Sequence, residues 1–318
     1  MNILNRFSNR DKMRKLAFGS KEKNGLVLNI VMYTLLISIG FVFLYPILHM
    51  FSISIMAPED LLDSSVRWVP RSVHLTNYRL AIITLDYWST LWKNVQVALL
   101  PTVLQVVSTA MAGYAFARYN FPLKKLWLAV LIFTFVIPPQ ITMIPTFVLY
   151  TNLEMVGSLR AFWIPAVLGQ GFNSAIFILI FYNFHKQVPA SLVEAAEIDG
   201  AGHLKSFAFI SMPLAVPAII VAILFSFVWY WNETFLVNLF LGFGNNRDEG
   251  LTTLLLELTR FESSYGASVT AAGMPPDPLN EGMRMAGTML SILPLGILYL
   301  ILQRHFVESV DKAGITGE

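Results

Sequence analysis

The sequence predicts an all-α protein that crosses a membrane six times. Three observations carry that reading. Of the 318 residues 55% are hydrophobic and 13% are charged, with a mean hydropathy of +0.60, which leaves too little polar surface for a water-soluble domain of this size. The apolar residues gather into six runs, each about as long as the roughly 20 residues needed to cross a hydrocarbon core. Lys and Arg are shared unevenly between alternate connections, and the richer side is the cytoplasmic one.

The elements follow in order. Residues 1–25 form a basic segment carrying Arg6, Arg10, Lys12, Arg14, Lys15, Lys21 and Lys23. The spans are expected at 26–56, 91–117, 126–150, 161–184, 213–241 and 285–303, within a membrane domain of 26–309. A tail, 310–318, follows. With six spans both termini lie on one side. That side also holds Arg118, Lys124, Lys125, Lys186, Lys205, Arg304 and Lys312, fourteen cations in all. The opposite side holds Arg67, Arg71, Arg79, Arg160, Arg247, Arg260 and Arg284, with Lys93 at a boundary. The termini are therefore expected in the cytoplasm. The first run is too long for the apolar region of a cleaved signal.

Outside the spans, the longest stretches are 57–90 and 242–284. In the second, Ser263 to Gly282 reads as an irregular exposed loop, given Gly266, Gly273, Pro275, Pro276 and Pro278. Either it is a variable insertion or it touches a solute-delivering partner. Prolines 46, 101, 138, 139, 145, 165, 217 and 294 fall within the spans. Each removes a helical hydrogen bond and favours a bend, although proline is also commoner in membrane helices generally.

Between the fourth and fifth spans lies a short polar loop, 189–212. Pro189 breaks the preceding helix, Ser191 is expected as N-cap, and Glu194 stands where it can close a capping box. Leu192, Ala195, Ala196 and Asp199 continue at helical spacing. Gly200 and Gly202 allow the positive φ that ends the helix, and Pro213 is expected to bar helix continuity into the next span. The spacing Glu194-Ala195-Ala196, three residues, Gly200, nine residues, Ile210, one residue, Met212-Pro213 resembles the EAA loop of membrane-spanning subunits of bacterial ABC importers. Met212 departs conservatively from the usual Leu.

Further stretches match the carbohydrate-uptake branch of these permeases, and in particular resemble its smaller maltose-type subunit. They are Gly113-Tyr114-Ala115-Phe116-Ala117-Arg118, Pro138 to Pro145, Trp231-Asn232-Glu233 and Gly314-Ile315-Thr316-Gly317. The resemblance implies a type I importer permease in a bacterial cell membrane. It implies import of an oligosaccharide delivered by an extracytoplasmic solute-binding protein. A heterodimer with a second related permease and two ATPase subunits is also implied, with ATP and Mg held by the ATPase and no cofactor on this chain. Glu194, Ala195, Ala196, Asp199, Gly200 and Pro213 would couple to the ATPase, which Gly314, Ile315, Thr316 and Gly317 would also touch. The 263–282 stretch is longer than the resemblance leads one to expect.

Glu233 is the one acidic residue inside a predicted span. Either it is a paired or snorkelling carboxylate near the interface, or with Tyr230, Trp231 and Asn232 it lines a solute path. Aromatic faces beside amides and carboxylates suit a sugar's C–H faces and hydroxyls. Trp229 and its neighbours also fit an interfacial aromatic belt. Gln170 and Asn173 form a second polar spot, for helix–helix hydrogen bonding or for the path.

Other chemistries find no support. Without cysteine there is no disulfide or thiolate centre. Gly200-Ala201-Gly202-His203-Leu204-Lys205-Ser206 lacks the glycine before lysine that a phosphate loop needs. His49, His74, His185, His203 and His305 have no metal-ligand spacing. Asn232-Glu233-Thr234 fits a glycosylation sequon only by chance. No Gly-x-Ser-x-Gly elbow occurs, and a net charge of +2 gives no cause to expect nucleic acid. The expectation is a transport subunit and not an enzyme. The alternatives are a permease for a non-sugar solute and an ion-coupled secondary transporter, which would need midplane ionisable groups and repeats.

Overall fold

The computed structural model describes residues 19–20, 23–242, 251–275 and 277–315. Apart from a two-residue antiparallel ladder, Gly19–Ser20 with Lys23–Asn24, the described elements are helices. They form two contact units, Met1–Asn77 with Asn280–Ala286, and Tyr78–Leu279 with Gly287–Glu318.

In the first unit α1, Leu26–Ser54, is apolar around its whole circumference and buries Ser52 and Ser54 alone. Such a helix is stable where its surroundings are themselves apolar. Its end is tied to the following loop. Ser52 donates through its hydroxyl to the Trp68 carbonyl, and Asn77 Nδ2 donates to the carbonyls of Ser54 (3.0 Å) and Met56 (2.8 Å). The short α2, Pro58–Leu62, starts on proline and presents the buried Asp60, which accepts the Arg71 backbone N–H at 3.0 Å.

After α3, Thr76–Thr84, the second unit is organised by α4, Tyr87–Arg118, whose 32 residues are the longest described helix of that unit before the last one. Val97, Ala98, Val106, Ala110 and Tyr114 of α4 lie in two buried clusters, packed against later helices. Pro101 is accommodated without ending the helix. The third predicted span is not straight. α5, Lys124–Val136, and α6, Pro139–Asn152, meet at 98°. Pro138 and Pro139 together remove two amide donors and force the preceding residue to be extended.

The fourth predicted span, 161–184, is likewise divided. α7, Arg160–Val167, and α8, Ser174–Gln187, are separated by an irregular segment in which Gly169 (φ +71°) and Asn173 (φ +52°) are left-handed. α9, Ala190–Ile198, and α10, His203–Ser206, form the polar loop. A π turn, Phe207–Ser211, leads directly into α11, Met212–Leu214. The chain turns by 82° before α12, Val216–Asn232, and α13, Phe235–Leu241, completes the fifth predicted span.

The first half of the stretch expected to be irregular, 263–271, is helical, whereas 272–275 and 277–280 are not. α14, Leu254–Thr259, is followed by α15, Phe261–Ala271, which buries Phe261, Tyr265 and Val269. Their spacing of four is a helical stripe within a glycine- and proline-rich neighbourhood that masked it. The last helix, α16, Glu281–Ile315, runs well past the expected end at 303. Among the described residues three helices are long and apolar enough to span a membrane, and up to six spans result if each of three bent pairs counts as one. The all-α, polytopic expectation is met, with breaks where continuous helices were predicted.

Candidate functional site

Two regions of the second unit collect the polar groups singled out from the sequence. The first is the break in the fourth span. Gln105 on α4 is fully buried, and its Nε2 donates to the Phe172 carbonyl (2.6 Å) and to Ser174 Oγ (3.0 Å). Its Oε1 accepts the Ser226 hydroxyl of α12 at 3.0 Å. Tyr230, also buried, accepts the Phe172 backbone N–H at 3.3 Å and stacks on the Phe172 ring at 4.4 Å between centroids. Ser108 donates to the Ala166 carbonyl at 2.6 Å. Carbonyls and amides freed by the break thus find side-chain partners on α4 and α12, as membrane burial demands. A Cβ on Gly171 would lie 2.5 Å from the Tyr230 hydroxyl and 2.8 Å from Gln105 Oε1, so any larger residue there would displace those two side chains.

This scaffold borders a cavity of about 540 Å³. Gln170, Asn173 and Tyr230 line it, with Tyr150, Phe162, Phe172 and Phe240, and with Thr134, Thr142, Thr146 and Ser174. Among the described residues no Asp, Glu, Lys or Arg is in the lining. Gln170 and Asn173 are exposed within the irregular segment. The other named path residues lie elsewhere. Trp231 is buried and stacked on Phe227 at 5.5 Å. Asn232 is exposed and donates to the Val228 carbonyl at 2.9 Å. Glu233 ends α12 and accepts the Leu236 backbone N–H at 2.8 Å, so its carboxylate caps the first turn of α13.

The second region is the polar loop. α9 begins directly after Pro189, with no side-chain capping bond, and Ser191 lies inside the helix. The N-cap assigned to Ser191 and the capping box assigned to Glu194 are therefore corrected. Proline at the cap position starts the helix two residues early and leaves Glu194 at the fifth helical position, beyond reach of the cap. Glu194, Ala195 and Asp199 are exposed and Ala196 is half-buried. The end of α9 is a Schellman turn. The Ala201 N–H reaches the Ala196 carbonyl (2.9 Å), the Gly200 N–H reaches that of Glu197 (3.1 Å), and Gly200 has φ +85°. Gly202 has φ −72° and is not part of this requirement. Glu197 Oε1 and His203 Nδ1, 3.4 Å apart, bridge the two short helices. Pro213 does not interrupt the helix as predicted. The carbonyl its ring would strike in an α-helix, that of Phe209, lies in the π turn, and the break comes instead at Ala215, ahead of Pro217.

The Gly113–Arg118 stretch explains how this loop is seated. A Cβ on Gly113 would lie 2.6 Å from Phe181 Cβ and 2.8 Å from the Tyr182 backbone nitrogen, so α4 and α8 cross in near contact there. Tyr114 is buried against His185 and Phe207. Arg118 Nη2 donates to the Val188 carbonyl at 2.7 Å, at the hinge into α9. Among the described residues both nitrogens of the fully buried His185 and the hydroxyls of Ser206 and Ser211 have no hydrogen-bond partner, so beside the Arg118–Val188 bond the seat is packed largely by shape. Of the tail residues Gly314 and Ile315 lie in α16, while Thr316 and Gly317 lie outside the described residues. Among the described residues no cluster of metal-binding side chains occurs.

Gln105 and Ser226 were missed from sequence. Each is a polar residue within a predicted span, a signal that identifies a buried partner-seeking group but not its partner.

The comparisons agree with this architecture. The osmoprotective compounds uptake permease protein GgtD of Synechocystis is 27% identical over 281 residues, covering 86% of this chain and 88% of that protein. The maltodextrin transport system permease protein MdxG of Bacillus subtilis is 27% identical over 288 residues, covering 90% and 95%. The fold is similar to a chain in the crystal structure of a bacterial ABC transporter involved in the import of the acidic polysaccharide alginate, with a TM-score of 0.72 and 22% identity over 88% of this chain and 96% of that one. Residues 105–312, from the buried Gln105 through the polar loop and into α16, match the binding-protein-dependent transport system inner membrane component family. The chain belongs to that family, and is a permease subunit of an ABC importer and not itself an enzyme.

Proposed function

We propose that this subunit forms part of the translocation path for a neutral carbohydrate, most simply an oligosaccharide, and that its α9–α10 loop is the coupling element. The observation that carries the solute assignment is the cavity lining. Aromatic rings from five helices and the break segment share the lining with hydroxyl and amide groups, with no charged side chain among the described lining residues, which suits apolar sugar faces and uncharged hydroxyls. The names of MdxG and of the alginate importer support a saccharide. The name of GgtD supports a second reading, a smaller osmoprotective solute.

Importers of this family work with a partner permease, an ATPase and a solute-binding protein. The finer assembly follows the resemblance. A second, related permease would complete a heterodimer, and two ATPase subunits would hold ATP and Mg. The binding protein would dock on the extracytoplasmic side, with both termini cytoplasmic. Glu194, Ala195, Ala196, Asp199, Gly200 and Pro213 would meet the ATPase, as would the 310–318 tail. Trp231, Asn232 and Glu233, which are not in this lining, would belong to the outer part of the path.

The test is uptake and solute-stimulated ATP hydrolysis by the purified importer, with labelled neutral oligosaccharides against labelled amino acids. Gly200→Val opposes φ +85° at the Schellman turn, and Glu194→Lys reverses an exposed charge. Both variants are expected in the membrane with stimulated hydrolysis abolished. Full transport by both refutes the coupling assignment, and uptake of amino acids alone refutes the saccharide.

A further inference from the structure

A second cavity, of about 450 Å³, adjoins the first. Four residues, Leu131, Thr134, Gly169 and Gln170, line both. They are a shared wall. From there the second cavity follows α4 from Ser108 to Phe116 and α5 back to Trp127. Those helices lead to Arg118 and Lys124, the end at which Arg118 holds the coupling loop through Val188. At 1.5 Å per residue, Trp127 lies about 10 Å nearer that end than Thr134 does. The second cavity therefore stands between the first and the coupling loop.

The wall is built to hold one side chain. The Gln170 N–H donates to the Pro165 carbonyl at 2.7 Å, and Ser108 grips the Ala166 carbonyl. On the other side Gly171 is pinned against Tyr230 and Gln105. Gly169 takes the left-handed turn that brings the chain past α4. The backbone on both sides of Gln170 is thus clamped, while Gln170 itself is exposed and lines both cavities. A primary amide can donate and accept at once, as a passing hydroxyl requires.

We propose that the two cavities are successive stations on one solute route, that Gln170 is the specificity-determining residue where the solute passes between them, and that the second station receives it on the aromatic faces of Phe116 and Trp127. This rests on the carbohydrate-path reading above. It adds a direction of travel toward the coupling loop and a site at which the solute exchanges most of its hydrogen bonds for stacking.

The chain has no cysteine, so single cysteines report accessibility without background from it. In the assembled importer, Met111→Cys would report the second cavity and Met143→Cys the first. Labelling is read on this chain with a small, charged methanethiosulfonate reagent. Met111→Cys should react from the coupling-loop side, and an excess of transported oligosaccharide should slow that reaction. Gln170→Ala should lower uptake by about fivefold to tenfold, the value of one neutral hydrogen bond, and Gln170→Asn should recover part of it, with both variants still assembling into the importer. Reaction of Met111→Cys only with an apolar maleimide would assign the groove to lipid and overturn the proposal. Wild-type uptake by Gln170→Ala would overturn the role of Gln170. The reaction of Met111→Cys with the charged reagent needs no saccharide, unlike its protection, so its failure is separable from failure of the carbohydrate reading, which the uptake comparison decides.

Discussion

Truncating Gln105 to alanine removes three hydrogen bonds at once, to the Phe172 carbonyl, to Ser174 Oγ and from Ser226 Oγ. Polar side-chain bonds between membrane helices average about 0.6 kcal/mol, so the bonds alone contribute roughly 2 kcal/mol. The Phe172 carbonyl is then left without its donor in an apolar interior, adding about 1–3 kcal/mol. The expected loss is about 3–5 kcal/mol, among the larger effects of any single substitution. Equilibrium unfolding of the purified subunit in mixed micelles reads this directly. Uptake should fall more steeply than stability predicts, because the freed segment carries Gln170 and Asn173 into the cavity. Gln105→Glu tests the donor specifically, since it preserves shape but sets a carboxylate oxygen against the Phe172 carbonyl, and it should be no better than alanine. Destabilisation by Gln105→Ala below about 0.5 kcal/mol, the ordinary range of a surface change, with normal uptake, would refute the claim that this network supports the broken span.

Gly113→Ala should prise α4 from α8, because the added carbon meets backbone and a Cβ, and a loss of about 1–3 kcal/mol from overpacking is expected in the same unfolding assay. Asp63 accepts bonds from the Ser65 hydroxyl and backbone N–H and pairs with Arg71, which together hold its carboxyl at about 2. The pKa is lowered on folding, so the stabilisation is complete above 3.8 and is lost as pH falls through about 2. Pepsin cleavage of the 63–75 segment should accelerate across that window in the natural chain and show no such step in Asp63→Asn. Glu233→Gln keeps one acceptor for the Leu236 N–H, so its assembly should be normal. If uptake also survives Glu233→Gln and Asn232→Ala, neither side chain belongs to the path. Single cysteines at Ser64 and Ser268 should label in intact cells with an impermeant reagent, and labelling only after permeabilisation would reverse the proposed orientation.

Composition and pattern were enough to establish a helical membrane protein, because burying apolar runs of this length without a membrane would need more polar covering than the chain has. The polar loop was also legible. Its Schellman turn depends on local bonds and on one left-handed glycine, and both are local properties of residues 194–201. Local reasoning failed where proline had two outcomes. Pro213 was absorbed by a π turn, whereas Pro138 with Pro139 produced a 98° bend, and the choice depended on what the neighbouring turn could accommodate.

The helical character of 261–271 was hidden by composition and became visible only through the burial of Phe261, Tyr265 and Val269. Tertiary structure alone decided the site. Gln105, Ser174, Ser226 and Tyr230 are scattered over 126 positions, and nothing in their spacing pairs them. Three packed helices bring them to one break, where backbone groups that have left the helical ladder must find partners inside an apolar interior. The sequence by itself determined that polar groups must be buried somewhere in these spans; which ones meet, and around which cavity, was settled by the packing of α4 against α8 and α12.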